Sequence, residues 1–135
     1  MANIKHVDFI ERKLGGLSLH LVPEVSGTWQ PAADVFLTEG HVVIVLEVAG
    51  AEPRNIDVTY ETGRLIVRGY RQHPAEGKSP RSFVRMEIPH GYFERVFDIP
   101  VRCDAESISA TYHDGLVVIE ASIAKSELPR EIPIR

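Results

Sequence analysis

The chain has 135 residues and a formal net charge of −4, which suits one domain with short extensions. Its apolar fraction of 44% can fill a core, and its charged fraction of 25% is ordinary for a soluble domain. The acidic balance gives no basic footprint for nucleic acid. No apolar run reaches the length of a membrane span, and scattered charges in residues 1–13 interrupt any signal-peptide core. The single cysteine, Cys103, fits a reducing compartment, so we expect a cytoplasmic protein.

Residues 1–28 form a first zone that is apolar but too short to be a domain. A short helix is predicted by four apolar residues at three- and four-residue spacing: Ile4, Val7, Ile10 and Leu14. Gly15-Gly16 would end it. Because isolated amphipathic segments need a partner surface, this zone either packs on the body of the protein or serves as an apolar arm for assembly or binding.

Residues 29–124 form a second zone, whose pattern is typical of strands and turns. Extended segments are predicted at residues 33–37, 41–48, 56–60, 64–68, 83–88, 92–99, 108–112 and 116–123. Thr62-Gly63 and Asp114-Gly115 are turn signals, the second typical of a tight hairpin. Many short strands with regular turn residues and no long helical pattern predict an antiparallel β-sandwich.

Two of these strands are apolar on both faces. Residues 42–46 and 116–119 lack the alternation expected of a sheet with one solvated face. Something therefore covers the outer side of at least one of them. The cover could be connections of the other sheet, the N-terminal zone, or another subunit.

Residues 125–135 form a third zone, a polar tail that carries Ile132-Pro133-Ile134 near its end. Proline removes a backbone donor and favours an extended chain. The two isoleucines then project to the same side. We expect Ile132 and Ile134 to become buried in an apolar groove.

No pattern predicts a catalytic residue, a metal site or a cofactor. None of the six histidines forms a spaced ligand pair, and there is no cysteine pair. Gly77-Lys78-Ser79 lacks the first glycine of a phosphate-binding loop, and Pro80 prevents a following helix. Cys103 is interpreted as a small packed residue, because a lone thiol is more often structural than nucleophilic.

The order and spacing of several motifs carry a resemblance to a known family. The motifs are Trp29-Gln30-Pro31 with Asp34-Val35, Glu47-Val48-Ala49-Gly50, Leu65-Ile66-Val67-Arg68-Gly69, Gly91-Tyr92-Phe93-Glu94-Arg95-Val96-Phe97-Asp98-Ile99-Pro100, Ala110 with Gly115-Leu116-Val117, and Ile132-Pro133-Ile134. Together they resemble the small heat-shock proteins of the bacterial and plant type, over residues 29–135. Ala49 departs from the proline that is usual there, and Cys103 replaces a common apolar residue.

The resemblance implies an all-β fold: an immunoglobulin-like antiparallel β-sandwich, the α-crystallin domain, at residues 29–124. A short, partly helical arm at residues 1–28 precedes it, and an extended tail at residues 125–135 follows it. The implied function is that of an ATP-independent holdase, which binds unfolding proteins as a dynamic oligomer of strand-swapped dimers. The alternative is a monomeric or dimeric co-chaperone with a similar sandwich. The implied partners are further copies of the chain and unfolding client proteins.

The resemblance also implies four sets of site residues. The dimer interface would be formed by Val35, Phe83, Val84, Arg85, Glu87 and Arg95, with residues 83–87 as the swapped strand. The tail motif Ile132, Pro133 and Ile134 would dock in a neighbour's groove, lined by Ile56, Val58, Tyr60, Ile108 and Ala110. Clients would be bound by Phe9, Ile10, Leu14, Leu17 and Leu21.

Overall fold

The computed structural model describes residues 2–3, 7–9, 29–79, 81–125 and 132–134. The strands are β1 (Ala2–Asn3), β2 (Val7–Phe9), β3 (Ala33–Thr38), β4 (His41–Glu47), β5 (Ile56–Glu61), β6 (Arg64–Arg71), β7 (Gly91–Asp98), β8 (Ser109–His113) and β9 (Leu116–Ser122). Two single-turn 3₁₀ helices, Pro53–Asn55 and Ala105–Ser107, precede β5 and β8. Within these ranges, no helix is long and apolar enough to cross a bilayer.

The strands form two sheets that pack as a sandwich. The five-stranded sheet has the order β1-β8-β9-β4-β3, and the four-stranded sheet has the order β2-β5-β6-β7. Every pair is antiparallel except β2 with β5, which is parallel. The predicted all-β sandwich is therefore confirmed.

Two hairpins have the turn geometry that their sequences predict. Thr62 and Gly63 have φ values of 47° and 76°, and Asp114 and Gly115 have values of 49° and 82°. Positive φ at both central residues matches the twist of antiparallel strands and favours glycine at the second position. These turns set the register of β5 with β6 and of β8 with β9.

The core lies between the inner faces of the two sheets. Ile44 faces Ile119, Leu46 faces Val117, and Val58 faces Val67 across neighbouring strands; these side chains are all buried. One close approach requires glycine, because a Cβ on Gly69 would lie 2.3 Å from Cζ of Phe93 on β7. The ring of Phe93 therefore fills the space that a side chain on β6 would need.

The outer face of the five-stranded sheet is partly covered by its own cross-strand neighbours. Val43 is buried beside Phe36, and Val45 is half-buried beside Val118, its partner on β9. Apolar side chains on adjacent strands shield one another in this way. This packing accounts for the two strands that are apolar on both faces.

The sequence-based prediction was wrong for part of the N-terminal zone. Val7–Phe9 form a strand, although Val7 belongs to the helix-like pattern of apolar residues. The backbone of β2 pairs with the edge of β5, and this tertiary pairing overrides a helical tendency that is weak in a short segment. The remainder of that pattern, and the residues Ile10, Leu14, Leu17 and Leu21, lie outside the described residues.

The segment at residues 83–88 is predicted to be extended, and its residues 83–87 are predicted to pair with another chain. In the single chain it belongs to neither sheet and is exposed throughout. It lies in the long connection between β6 and β7, which spans residues 72–90. Its pairing with a partner stays a prediction.

Candidate functional site

The inner apolar surface of the five-stranded sheet continues onto its edge strand β3 without cover. Val35 is directly opposite Ile44, and cross-strand partners face the same side of a sheet. Ile44 is completely buried, whereas Val35 is 45% exposed. Leu37 pairs in the same way with the buried Val42 and is 52% exposed. The core of one chain is therefore open along β3.

The backbone of β3 is also open on one side. Among the described residues, β3 is the terminal strand of its sheet and pairs only with β4. Such an edge presents unpaired N–H and C=O groups that can accept another strand. The apolar opening and the free backbone edge coincide at β3.

The long connection before β7 carries a second exposed apolar surface. Its exposed apolar residues are Phe83, Val84, Met86 and Ile88. Nη1 of Arg85 lies 3.7 Å from Oε1 of Glu87. Both side chains are exposed, so this ion pair contributes little to stability. One chain thus presents both an uncovered edge and an uncovered apolar segment.

A buried arginine holds the two ends of the connection together. Arg71, at the end of β6, is only 9% exposed. Its Nε donates to the carbonyl oxygen of Pro89 at 3.0 Å, Nη2 donates to the same oxygen, and Nη1 donates to the carbonyl oxygen of Ala49 at 3.2 Å. The guanidinium carbon lies 4.0 Å from the centroid of the Trp29 ring, a cation–π contact. Arg71 therefore holds the start of the connection next to its end at Pro89.

A hydrogen bond and two ring contacts fix the residues at the start of the connection. The hydroxyl of Tyr70 donates to the carboxylate of Glu76, and this hydrogen bond is the main cause that raises the pKa of Tyr70. The ring centroid of His73 lies 4.8 Å from the ring centroid of His90 and 5.4 Å from the ring centroid of Phe83. These contacts place Phe83 beside the base of the connection.

Arg95 links the two sheets near the open edge. Its Nη1 donates to the carbonyl oxygen of Pro31 at 2.7 Å, and its guanidinium carbon lies 5.0 Å from the ring centroid of Phe97. Pro31 precedes β3, so this bond ties β7 to the start of β3. Within one chain Arg95 positions the edge, and a contact from Arg95 to a partner stays a prediction.

The predicted groove residues come together on the opposite side of the sandwich. Ile56, Val58, Ile108 and Ala110 are buried in the core, and Tyr60 is half-buried against it. They lie on or beside β5 and β8, whose edges pair with β2 and β1 respectively.

The tail motif is not docked on the chain that carries it. Ile132 and Ile134 are 87% and 100% exposed. The residues predicted to line the groove are buried in or packed against the chain's own core, and docking of the tail on them stays a prediction.

Cys103 is a packed residue in the structure. It is buried, and the desolvation raises the pKa of its thiol. Its Sγ donates weakly to the carbonyl oxygen of Val101 at 3.7 Å. A raised pKa reduces the thiolate population that nucleophilic chemistry requires. In the part of the chain that the structure describes, no three His, Cys, Asp or Glu residues are grouped to hold a metal ion.

Sequence reasoning missed Arg71 as a structural residue of this site. Arg71 lies three residues beyond the predicted end of its strand, and a charged residue at such a position is ordinary at a surface. Its three hydrogen bonds reach residues 18 and 22 positions away, and no local pattern reports such contacts.

The two-sheet topology, the open edge at β3 and the long connection before β7 define an α-crystallin-type β-sandwich. Residues 34–135 match the Hsp20/alpha crystallin family, and the chain belongs to that family. Membership supports a chaperone role, since this is a family of small heat-shock proteins.

Individual relatives agree with this assignment. Heat shock protein 16 of Schizosaccharomyces pombe is 26% identical over 114 residues, covering 83% of this chain and 80% of the relative. The solved structure of hspA from Xanthomonas axonopodis is 30% identical, with a TM-score of 0.64 over 71% of this chain and 95% of that one. A small heat-shock protein from Xylella fastidiosa is 27% identical, with a TM-score of 0.66 over 80% of this chain and 98% of that one.

Proposed function

We propose that the chain is an ATP-independent holdase of the cytoplasm, which acts as a dynamic oligomer built from strand-swapped dimers. The observation that carries this proposal is the apolar inner surface of β3, which is left uncovered although its neighbours in register are fully buried. A monomer gains nothing from an open core, whereas a partner strand would close it.

The exposed connection has the pattern that this opening requires. Val84, Met86 and Ile88 occupy alternate positions, so in an extended chain they project to one face. Arg85 and Glu87 then project to the other face. A strand of this kind could add its apolar face to the inner surface at Val35 and Leu37 while its charges remain in solvent.

The lengths are also compatible. The swapped strand, residues 83–87, contains five residues, and strand β3 (Ala33–Thr38) contains six. Strand addition supplies affinity through backbone hydrogen bonds and selectivity through alternate side chains. In a two-fold dimer each chain would donate one segment and accept one. Arg71 would hold both ends of the connection at a defined position on the donating chain.

The tail would link dimers into larger assemblies. Burial of two isoleucines contributes roughly 3–6 kcal/mol before the cost of ordering the tail is subtracted. One such contact is weak and reversible, but several in a closed assembly add up through effective concentration. The small heat-shock protein from Xylella fastidiosa has a distinct high order structure, and this similarity supports assembly beyond the dimer.

Clients would be bound by apolar side chains of the N-terminal zone. The proposed residues are Phe9, Ile10, Leu14, Leu17 and Leu21. Hydrophobic contact is non-directional, so we expect low selectivity among unfolding proteins.

Native mass spectrometry of the full chain tests the assembly. Met86→Asp places a charge on the apolar face of the swapped segment and should yield monomers, whereas Glu87→Asp on the opposite face is the matched control. Ile132→Ala combined with Ile134→Ala should leave dimers. In parallel, light scattering of a heat-denatured client enzyme without ATP should show suppression by the wild-type chain. A monomeric wild-type chain that does not suppress client aggregation would refute the proposal.

The second candidate is a co-chaperone that needs no higher assembly. It is favoured by the pairing of β1 with β8 and of β2 with β5, which occupies part of the edges where a tail would dock. Truncation after residue 130 separates the two candidates: the holdase oligomer should become smaller, and the co-chaperone should keep its size.

A further inference from the structure

Strands β1 and β2, residues 2–3 and 7–9, close the edges of both sheets on one side of the sandwich. Strand β1 pairs with β8, with Ala2 opposite Tyr112, and β2 pairs with β5, with Val7 opposite Val58. Residues 4–6 separate the two strands, so the Cα atoms of Asn3 and Val7 are at most about 14 Å apart. A single short segment therefore connects the two sheet edges.

Each of these edges can accept only one strand. The other side of β5 is paired along its whole length with β6, and the other side of β8 is paired with β9. On the outer side, β2 occupies Val58 to Tyr60 of β5, and β1 occupies Thr111 and Tyr112 of β8. An extended segment that docks on these residues must displace β1 or β2.

We propose that residues 2–9 and the tail motif compete for the edges of β5 and β8. This inference rests on the tail docking of the proposed function and concerns the regulation of that site. Both segments place two apolar residues two positions apart, Val7 and Phe9 in one and Ile132 and Ile134 in the other. In the unassembled chain the N-terminal segment holds the edges, and the tail stays exposed.

The competition couples assembly to client binding. When a neighbour's tail takes the β5 edge, it displaces β2 and frees the backbone of Phe9. Phe9 is the first of the residues proposed to meet clients, so docking of the tail and release of the start of the client-binding arm become one event. The N-terminal segment also keeps two sheet edges closed against unselective strand pairing until then.

Amide hydrogen exchange on the full chain tests the competition. The perturbing variant is Val7→Pro with Asp8→Pro, because successive N–H groups of a strand point to opposite sides and one of the two must face β5. Val7→Ala with Asp8→Ala keeps both N–H groups and is the matched control. Each pair is measured with the wild-type tail and with Ile132→Ala plus Ile134→Ala.

In the variant that carries both alanines in the tail, the two proline substitutions should accelerate exchange of the outward N–H groups of β5 at least about tenfold, since neither β2 nor the tail then covers this edge. With the wild-type tail, β5 should stay protected, and the amides of Ile132 and Ile134 should exchange at least about tenfold more slowly than in the control. Unchanged exchange at β5 with the altered tail, or at the tail amides with the wild-type tail, overturns the inference.

The exchange measurement is separate from the chaperone assay. A chain that shows both effects but does not suppress client aggregation supports the competition and refutes the holdase. A working holdase that shows neither effect refutes only the competition.

Discussion

Removal of the Arg71 guanidinium should loosen the base of the connection and destabilise the fold. Arg71→Met keeps the aliphatic length but removes the hydrogen bonds to the carbonyl oxygens of Pro89 and Ala49, and the contact with Trp29. Hydrogen bonds from a charged group contribute about 1.5–3 kcal/mol each, and a partly buried cation–π contact adds about 0.5–2 kcal/mol.

The expected loss is smaller than the sum of these contacts. Pro89 and Ala49 are exposed residues, so water can hydrate the carbonyl groups that Arg71 leaves behind. We therefore expect Arg71→Met to lower the free energy of unfolding by about 2–4 kcal/mol. Arg71→Lys should recover only part of this loss. Lysine keeps the positive charge, but its ammonium group cannot bind both carbonyl oxygens in the planar geometry of a guanidinium.

Urea denaturation at one fixed protein concentration measures the effect, since oligomer formation makes stability depend on concentration. Limited proteolysis of the connection should accelerate in parallel. Arg81→Met is the matched control, because Arg81 lies in the same connection, is exposed, and donates to the carbonyl oxygen of Lys78 alone among the described contacts. The free energies of unfolding of the two methionine variants could differ by less than about 0.5 kcal/mol, which is within the range of ordinary surface substitutions. That result would show that Arg71 does not hold the two ends of the connection together.

Three further predictions follow from single contacts. The bond to Glu76 raises the pKa of Tyr70, so the stability it contributes is present below the ordinary tyrosine pKa and is lost as pH rises through the raised value. Absorbance at 295 nm should show a tyrosine titration step above the ordinary tyrosine pKa, and Tyr70→Phe should remove that step. Burial raises the pKa of Cys103, so a thiol reagent at pH 8 should react with the folded chain at least about tenfold more slowly than with the chain in urea; equal rates would contradict its burial. Gly69→Ala should clash with the ring of Phe93 and cost about 1–3 kcal/mol in thermal unfolding, and an unchanged melting temperature would contradict the close approach.

The two hairpins and most strands could be predicted from local sequence. Asp114-Gly115 and Thr62-Gly63 supply the positive φ values that a tight antiparallel turn needs, and alternating apolar residues mark the buried faces of β5 and β8. Strand β6 extends to Arg71, three residues beyond the predicted end, because its pairing with β7 continues through Gly69. A glycine normally weakens a strand, and the close approach of the Phe93 ring and of the carbonyl oxygen of Asn55 explains its place here.

The candidate site was predictable in part. The apolar segment at residues 83–88 and the tail motif are visible as sequence patterns, and both are exposed in the structure. The open inner face of β3 was not visible, because Val35 and Leu37 have the same sequence pattern as buried strand residues. Their exposure depends on how far the opposing sheet extends over them.

The amino-acid sequence by itself determined most of the strands, the two hairpin turns and the pairs of apolar residues that need burial, because each of these depends on neighbouring residues. Tertiary structure alone decided which edges are closed. Residues 2–3 and 7–9 became strands on β8 and β5, and Arg71 became the tie between the two ends of a long connection. Both outcomes depend on contacts between residues distant along the chain, whose energies exceed the small local preferences of a few residues.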